Sequence, residues 1–507
     1  MRSVATLSII ALAAINSFKV DARPTAVNRA SLLATTSANV TDDPRADAVR
    51  QAFLHGWNGY VTYAFGHDEL LPVSKKPSDS RNGWGATIFD ALDTMLIMGL
   101  DDAYEKAMSH VENVNFQASK ENSKTFETTI RYLGGLLAAN DLRPDPILRK
   151  QALALVEYAI MPAFDTADGI PASYVNVNTG KAVPGNSLDL AEFGSVQMEM
   201  TRLSQVTGVS KYMDVANEVV TRVQNTKTQP PGLYAIQWTD QPFEPDPSGI
   251  ITISGGGDSY YEYLLKNYLL LGSTDDSLLS SWKTFVDSME TYLQQEDEFH
   301  PFTYLADMEA DKLISQSGEL VCFVPGNIIY GAKLLGNKEY ATFAKKLMDS
   351  CYQIWEGTET NIAPEGFNWI PKGASLDSYT DSQISQDKKR GFYFSPRQAS
   401  YDLRPETVES LFYFYRITGD KSYQDKAWKI FEAIEKYCRT PVGYSSLINV
   451  DIANPGWSDF QESFLFAETF KYLFLIFSDT STISLNEWVF NTEAHPFRLP
   501  STLNIQI

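Results

Sequence analysis

The chain has 507 residues, of which 44% are hydrophobic and 12% aromatic, and its 63 acidic and 42 basic side chains give a formal net charge of −21 at pH 7. A negative field of that size repels phosphate backbones and anionic lipid, so nucleic acid and membrane surfaces are excluded as expected partners. Hydrophobic residues continue evenly from about residue 50 to about residue 490 without a Gly/Ser-rich or Pro-rich linker, which favours one large core.

The N-terminal stretch predicts entry into the secretory pathway. An early arginine precedes an apolar run over residues 4–15 that is too short to span a bilayer. We therefore expect a signal peptide over residues 1–22, with an uncleaved anchor as the alternative. An N-terminal segment over residues 23–44 and one folded domain over residues 45–507 follow. Asn39 begins the sequence Asn-Val-Thr and is the expected glycosylation site.

Helical periodicity dominates the rest of the chain. Apolar residues recur at three- and four-residue spacing in several amphipathic segments, which predicts helices. These segments cover residues 149–160, 212–224, 282–293, 340–355 and 424–438. Stretches with β character, such as GIITIS and GYSSLINV, are short. An all-helical repeat array is therefore one interpretation of the sequence.

A second set of segments is apolar nearly all round, and each carries an acid near its start. They read TFETTIRYLGGLLAA, LAEFGSVQMEMTRL, GDSYYEYLLKNYLLL, RPETVESLFYFYRITG and QESFLFAETFKYLFLIF. Their acids are Glu127, Glu192, Asp258, Glu406 and Glu462. Most of them stand about 65 residues apart, and one wider gap leaves room for two more units, one of them at IAPEGFNWI with Glu365.

A helix that is buried on all sides belongs inside a structure. If such helices alternate with amphipathic outer helices at about 65 residues per hairpin, roughly seven hairpins fit into the chain. We therefore predict an all-α fold of two concentric helix rings, an α/α toroid with minor β-hairpins, whose inner helices bring their acids to one rim. The alternative is that each acid merely caps its own helix and never meets the others.

A ring of carboxylates among aromatic side chains suits glycoside hydrolysis. One protonated acid donates to the leaving oxygen, while one carboxylate activates water or attacks. Crowding separates the pKa values of the acids, and an oxygen-rich site favours a hard cation such as Ca²⁺. The five histidines form no HExxH motif or close pair, which argues against a zinc site.

Several motifs together resemble the class I α-1,2-mannosidases, glycoside hydrolase family 47. They are FETTIRYLGGLL, GDSYYEYLLK, LRPETVESL, QESFLFAET and FNTEAHPF, and the resemblance runs from about residue 45 to about residue 500. It implies an (α/α)7 barrel plugged by a C-terminal hairpin, hydrolysis with inversion, a requirement for Ca²⁺, and high-mannose N-glycans as substrates. We also expect a monomer.

The resemblance implies roles for individual residues. Glu127 is an acid of the proton-donating step, acting through a water, and Asp258 and Glu365 are the other candidates for that step. Glu406 is the general base. Thr492 is the only direct protein ligand of Ca²⁺, through its hydroxyl and its carbonyl.

The remaining implied site residues surround these groups. Arg131 orients carboxylates from the same helical face as Glu127. A further set holds water on Ca²⁺ or sugar hydroxyls, namely Glu192, Glu409, Glu462 and Glu493.

Cysteines and targeting signals fit a secretory protein. The sequence leaves three pairings open among Cys322, Cys351 and Cys438. The segment VCFVPG matches the family segment that carries one half of a disulfide, which implies the pair Cys322 and Cys351. The sequence HDEL at residues 67–70 is internal, and such signals are read at the C terminus, so we expect a secreted or Golgi-lumenal protein without ER retention.

The sequence departs from the family pattern at two positions. Glu319 stands where the family often has histidine, which leaves the pH optimum open. Gly256 stands two residues before Asp258, where members of the ER type carry arginine and remove largely one mannose. The absence of this arginine predicts that the enzyme removes several mannoses, toward the five-mannose core. The alternative is that Gly256 only permits a turn.

Two other classes of function remain as alternatives. One is a glycan-binding family member that has lost catalysis, and the presence of Glu127, Asp258, Glu406 and Thr492 argues against it. The other is a purely structural toroid, which leaves the buried acids unexplained.

Overall fold

The computed structural model describes residues 43–183, 185 and 188–500, and helices dominate that part of the chain. The α-helices are α1 (Pro44–Tyr63), α2 (Ala86–Ile97), α3 (Asp101–Val111), α4 (Thr125–Glu127), α5 (Gly134–Leu142), α6 (Pro146–Leu155), α7 (Leu190–Gly194), α8 (Gln197–Thr207), α9 (Lys211–Asn225), α10 (Asp258–Leu270), α11 (Asp276–Ser288), α12 (Val324–Leu335), α13 (Lys338–Glu356), α14 (Asp381–Arg390), α15 (Glu406–Thr418), α16 (Ser422–Tyr437) and α17 (Phe470–Ile476). The predicted signal peptide and Asn39 lie outside the described residues.

Shorter helical turns extend or precede several of these helices. The π-helical turns are Thr128–Leu133, Val156–Ile160, Met289–Leu293 and Leu465–Thr469. The 3-10 turns are Met161–Phe164, Glu319–Phe323 and Leu376–Ser378.

An inner ring of helices surrounds the centre of the molecule. Its members pack side by side in chain order: α2, α5, α8, α10, α12, α15 and α17. The π turn that leads into α17 packs back against α2, which closes the ring. These helices are apolar nearly all round because both of their sides are covered, and every residue of α10 after Asp258 is buried.

The outer ring supplies each inner helix with a partner. Helices α3, α6, α9, α11, α13 and α16 each follow an inner helix and pack against it, while α1 covers α17. The amphipathic segments predicted from the sequence fall on this outer ring; residues 212–224 lie in α9, for example, and residues 340–355 lie in α13. The prediction of an (α/α)7 barrel is therefore confirmed.

One detail of the predicted architecture is wrong. After α11, the outer partner of α10, the wide gap between the acid-bearing segments holds only one further inner helix, α12, with its outer partner α13, the shorter α14 and small sheets. Glu365 precedes a strand, Gly366–Asn368, and does not start an inner helix. Pro364 and Gly366 disfavour a helix there, and the buried Phe367 and Trp369 alternate as in a strand.

Short antiparallel strands lie in the segments that connect the helices. They are β1 (Glu69–Leu71), β2 (Lys76–Ser78), β3 (Ser123–Lys124), β4 (Tyr174–Asn176), β5 (Lys181–Val183), β6 (Leu188–Asp189), β7 (Gln237–Thr239), β8 (Glu244–Pro245), β9 (Gln294–Glu296), β10 (Thr303–Leu305), β11 (Asp307–Glu309), β12 (Lys312–Ile314), β13 (Gln316–Gly318), β14 (Gly366–Asn368), β15 (Trp488–Phe490) and β16 (Pro496–Arg498). Consecutive strands pair in two- and three-stranded sheets, and β14 pairs with β13.

The C-terminal hairpin β15–β16 plugs the ring. Val489 lies opposite Phe497, and the tip between the strands is buried among inner helices. Asn491 donates to the carbonyl of Ile130 over 3.0 Å, and His495 Nδ1 lies 2.8 Å from Asp93 of α2. The tip therefore reaches the axis of the barrel, as the family resemblance implied.

The cysteines behave as expected. Cys322 and Cys351 form a disulfide that joins the 3-10 turn before α12 to α13. The buried Ser410 hydroxyl donates to the Cys322 carbonyl and so connects this segment to α15. Cys438 is buried, and burial raises the pKa of its thiol well above the usual value. In the described ranges, no helix is both long enough and apolar enough to cross a membrane.

Candidate active site

The acids that the sequence singled out converge at the N-terminal ends of the inner helices. Charged neighbours follow one another round this end of the barrel and form a closed circle. In order, the circle runs through Glu127, Lys124, Glu192, Asp189, Asp258, Glu406, Glu319, Glu365, Arg404, Glu462 and Arg81, which returns to Glu127. The acids therefore do more than cap separate helices. We call this set the carboxylate ring.

Glu127 is held between two arginines. Arg81 Nη1 and Arg131 Nε each donate to Glu127 Oε2 over 2.7 Å. Burial alone would raise the pKa of Glu127, but the two positive charges outweigh it and hold that pKa far below its usual range. A π turn, Thr128–Leu133, follows Glu127 directly, and such turns are frequent at functional sites. Glu127 is thus a carboxylate in this structure.

Arg131 connects the carboxylate ring to the plug. Its Nη1 donates to Glu493 on the hairpin tip, and the same atom lies 3.5 Å from Asp90 of α2. Next to Glu493, the backbone N–H of Thr492 donates to the Tyr263 hydroxyl over 3.1 Å. That hydroxyl in turn donates to Glu199. Thr492 therefore contacts α10 from the hairpin tip, and it is partly exposed.

Asp258 begins α10, and its environment favours the protonated form. Burial raises the pKa of Asp258 to about 7, and the charges of Glu262, Asp189 and Glu406 act in the same direction. The bond that Asp258 Oδ1 accepts from the Ser259 N–H, 2.8 Å long, opposes the shift without cancelling it. A carboxyl with such a pKa can hold a proton near neutral pH and release it to a substrate.

Glu406 begins α15 three residues after a left-handed position in the chain. Leu403 adopts a left-handed conformation with φ of 64°, and Thr469 stabilises it by donating to its carbonyl over 2.7 Å. Pro405 then caps the helix, and its carbonyl accepts from the N–H of Glu409. Burial and the adjacent Glu319 carboxyl raise the pKa of Glu406 well above its usual range, and Arg404 acts against them.

Glu365 lies beside these groups although it precedes a strand. Its Oε1 accepts from the backbone N–H of Asp402 over 2.8 Å, and its Oε2 accepts from Arg404 Nε over 2.9 Å. Arg404 also lies over the Phe464 ring, 5.4 Å from its centroid. These contacts place Glu365 in the carboxylate ring and hold Arg404, whose charge acts on Glu406.

Glu192 and Gly256 occupy the opposite part of the ring. Lys124 Nζ lies 2.6 Å from Glu192. Burial and the charge of Glu192 raise the pKa of Asp189 to about 6. Gly256 has φ of 94°, and a Cβ added to it would lie 3.2 Å from Ile236 Cδ1 and 3.3 Å from Asp189 Oδ2. The turn at Gly256 therefore favours glycine for backbone reasons, and an added side chain would meet Asp189.

Glu409 lies one turn below Glu406 and is buried. Lys266 Nζ lies 3.3 Å from Glu409 Oε1, and the Tyr472 hydroxyl donates to the same oxygen over 3.2 Å. Burial nevertheless raises the pKa of Glu409 to about 8. Burial also raises the pKa of Glu462 to about 7, although the arginines at 81, 131 and 404 oppose the shift.

The sequence profile of glycosyl hydrolase family 47 matches residues 52–499. The chain belongs to this family. Mannosyl-oligosaccharide alpha-1,2-mannosidase 1B of Aspergillus phoenicis is 36% identical over 496 residues, which cover 92% of this chain and 94% of that protein. A mannosyl-oligosaccharide 1,2-alpha-mannosidase of Arabidopsis thaliana is 38% identical over 471 residues, which cover 90% of this chain and 79% of that protein.

A solved structure agrees with the family assignment. The structure of an alpha-1,2-mannosidase from Trichoderma reesei matches with a TM-score of 0.86 and 37% sequence identity, over 90% of this chain and 99% of that one. The chain is therefore a glycoside hydrolase, as the motifs predicted.

Sequence reasoning missed several charged residues of the site. They are Arg81, Lys124, Asp189, Glu199, Glu262, Lys266, Arg404 and Glu468. For two of these residues the sequence did contain a signal. Glu262 and Lys266 stand four residues apart in the otherwise apolar α10, and a charged pair on a helix buried on all sides indicates a paired internal role.

Proposed function

We propose that the protein is an inverting exo-glycosidase that hydrolyses terminal α-1,2-linked mannose from high-mannose N-glycans. The observation that carries the proposal is the closed carboxylate ring, in which Asp258 and Glu406 are electrostatic neighbours with raised pKa values. Family 47 membership and the named activity of relatives in two kingdoms support the choice of bond and sugar. The relatives' names also support mannosyl-oligosaccharides as the substrate class.

The proposed mechanism assigns one carboxylate to each side of the scissile bond. Glu406 accepts a proton from the attacking water, whose oxygen bonds to the anomeric carbon as the glycosidic bond breaks. The leaving oxygen takes its proton from the acid. Asp258 suits that step best because its pKa of about 7 keeps it protonated at mildly acidic pH.

In this proposal Glu127 serves the acid step indirectly, and Glu365 supports the base. Arg81 and Arg131 keep Glu127 ionised, so it orients a water that relays the proton and does not hold the proton itself. Glu365 accepts from Arg404 and from the backbone of residue 402, so both of its oxygens are engaged in holding the base. Arg131 then positions Glu127 and Glu493 together.

The residues around Thr492 fit a hard cation, and we propose Ca²⁺. Thr492 offers a hydroxyl and a carbonyl oxygen at the tip of the plug, next to the buried Glu493, and oxygen donors suit Ca²⁺. Within the described ranges, no three His, Cys, Asp or Glu side chains are grouped as direct ligands. The remaining positions would be filled by water held on the surrounding carboxylates, Glu192, Glu409, Glu462 and Glu493. Bound there, the ion would supply a positive charge that polarises water and sugar oxygens.

Gly256 bears on how many mannoses are removed. We propose that the open space before Asp258 lets different branches of the glycan enter, so that several α-1,2-mannoses are removed toward the five-mannose core. The positive φ of Gly256 also fits the alternative, in which the glycine only permits the turn.

We further propose that the enzyme acts in the secretory pathway, as a secreted or Golgi-lumenal monomer with residues 45–507 as its catalytic domain. The disulfide between Cys322 and Cys351 supports an oxidising compartment.

One experiment tests the function and the cation together. The purified protein is incubated with a defined high-mannose glycan, with and without a chelator, and free mannose is measured. We expect release of several mannoses, loss of activity and a lower melting temperature on chelation, and recovery with Ca²⁺ but not with Zn²⁺. Absence of free mannose with Ca²⁺ present would favour the glycan-binding alternative, and full activity after exhaustive chelation would contradict the cation proposal.

A further inference from the structure

Asn491 is the buried residue that directly precedes the proposed cation ligand on the hairpin tip. Its side chain accepts two hydrogen bonds and donates two. Oδ1 accepts from the backbone N–H of Glu493 over 3.0 Å and from that of His495 over 2.7 Å. Nδ2 donates to the Ile130 carbonyl over 3.0 Å and to Glu199 Oε1 over 2.7 Å. These bonds fix the orientation of the amide, because the reversed amide would set its oxygen against two acceptors.

The two acceptor bonds shape the turn that carries Thr492. An asparagine oxygen that bonds to the N–H two residues further on forms an Asx turn, which takes the place of a backbone turn. The backbone carbonyl of Asn491 also accepts from the Ala494 N–H over 3.1 Å. Ala494 itself adopts a left-handed conformation with φ of 55°. Thr492 therefore lies in a tight turn that the side chain of Asn491 stabilises.

The first donor bond joins this tip to the π turn that leads into α5. In an α-helix, the N–H of Gly134 would bond to the Ile130 carbonyl. Here that N–H donates to the carbonyls of Thr129 and Arg131 instead, and Asn491 Nδ2 donates to Ile130. Glycine at position 134 makes room for this contact, because an added Cβ would lie 2.8 Å from Nδ2. The hairpin thus supplies a donor to a carbonyl that the Gly134 N–H does not use.

The second donor bond closes a circuit around Thr492. Glu199 Oε1, which accepts from Asn491, also accepts from the Tyr263 hydroxyl over 2.7 Å. The Tyr263 hydroxyl in turn accepts from the Thr492 N–H over 3.1 Å. Thr492 is therefore held by α10 through its own N–H and by α8 through the residue that precedes it.

We propose that Asn491 is a positioning residue that holds the hairpin tip in register with the π turn. Its amide sets Thr492 for the cation. Through Glu493, which accepts from Arg131, it also places Arg131. Arg131 in turn donates to Glu127, so one amide couples cation binding to the proton-donating step. The inference rests on the proposed function and on the proposed cation site.

The affinity for Ca²⁺, measured without substrate, tests the proposal with two variants. Asn491→Ser keeps an acceptor for the Glu493 N–H, but its side chain is too short to donate to Ile130 and Glu199. Asn491→Ala loses the acceptor bonds as well. We expect both variants to bind Ca²⁺ about 10- to 100-fold more weakly than the natural protein, because residues that orient a metal ligand typically contribute this much. The measurement is a calorimetric titration at a temperature at which circular dichroism shows every variant to be folded.

Two control variants separate this effect from changes elsewhere. Asn337 also accepts from two backbone N–H groups, at the start of α13, and serine serves equally well in that position. Asn337→Ser should therefore bind Ca²⁺ like the natural protein. Replacing both Cys322 and Cys351 by alanine removes a disulfide away from the tip, so this less stable variant should also keep its affinity.

Turnover at saturating Ca²⁺ tests the link to the proton-donating step. Because Asn491→Ser loses the register of the π turn as well as cation affinity, its kcat should stay roughly 10-fold or more below the natural value when Ca²⁺ saturates. Full recovery of kcat would overturn the coupling. Natural Ca²⁺ affinity in Asn491→Ser, with only a lower melting temperature, would mean that the donor bonds merely stabilise the fold. If Asn491→Ala does not fold, Asn491→Ser alone decides between these cases.

The natural protein reports separately on the two underlying proposals. Absence of mannose release by the natural protein contradicts the proposed function, and absence of Ca²⁺ binding contradicts the cation site and this inference with it. Failure of the inference about Asn491 alone appears as a natural protein that binds Ca²⁺ and releases mannose, with an Asn491→Ser variant that does both equally well.

Discussion

Substitution of Gly256 by arginine tests whether this position sets the number of mannoses removed or only permits a turn of the backbone. Any side chain here must adopt φ of 94°. Its Cβ would also lie 3.2 Å from Ile236 Cδ1 and 3.3 Å from Asp189 Oδ2. The left-handed conformation costs on the order of 1–2 kcal/mol, and the tight contacts add to that. Gly256→Ala meets the same costs without a guanidinium, so it is the matched control.

The magnitude of the specificity change follows from the hydrogen bonds that an arginine would add. A hydrogen bond to a charged group contributes about 1.5–3 kcal/mol, which corresponds to a preference of roughly 10- to 150-fold for the branch that receives it. We expect the natural enzyme to remove several mannoses without a long-lived intermediate. Gly256→Arg should accumulate one intermediate, and Gly256→Ala should keep the natural product pattern despite a similar loss of stability.

The assay is a time course on a full high-mannose glycan with products resolved by mass spectrometry, alongside thermal unfolding of the three proteins. If the natural enzyme stalls after one mannose, the inference about Gly256 is refuted. It is equally refuted if Gly256→Ala narrows the product range as much as Gly256→Arg, because the backbone then sets specificity.

Three further predictions concern the acids and the disulfide. Glu406→Gln should keep the fold and lose about 10²–10⁴ in kcat, measured with a melting curve as control; near-normal turnover would remove Glu406 as the base. In the proposed role Asp258 must be protonated to donate, and its pKa is raised to about 7, so kcat/KM should fall as pH rises through about 7. An alkaline limb that is retained in Asp258→Asn would contradict the role of Asp258 as the acid. Replacing Cys322 and Cys351 by alanine should lower stability by about 3–4 kcal/mol in chemical denaturation, since their bond closes a loop with a sequence separation of 29; an unchanged midpoint would refute this.

Much of the fold was predictable from the sequence because the burial of a helix determines how its apolar residues are spaced. The outer helices such as α9 showed one apolar face, and inner helices such as α10 showed apolar residues all round. Glu365 was misplaced because its motif sits in a strand, and strands this short carry little signal. The ring of acids was recognisable because its acids stand near the starts of buried helices, where charged residues are rare unless they are paired.

The partners of the acids were not predictable, because they come from distant parts of the chain. Arg131 and Glu493 are 362 residues apart and meet only through the plug. Glu319 and Thr407 are 88 residues apart, and nothing local to either indicates the contact. The left-handed Leu403 likewise depends on Thr469, which holds its carbonyl. Such pairings are set by ring closure and not by local propensity.

The position of the hairpin tip has a consequence for the order of events during biosynthesis. Thr492 and Glu493 leave the ribosome after every helix of the barrel. The π turn that packs against α2 and helix α17 that packs against α1 complete the ring, and they emerge shortly before the hairpin tip. Domains of this kind depend on contacts between distant segments, which form slowly. A nascent chain that ends at α16 therefore has most of its acids but neither a closed barrel nor the proposed cation ligand. We expect catalytic competence to arise only after translation, in a single late step, so that a partly made enzyme cannot trim glycans.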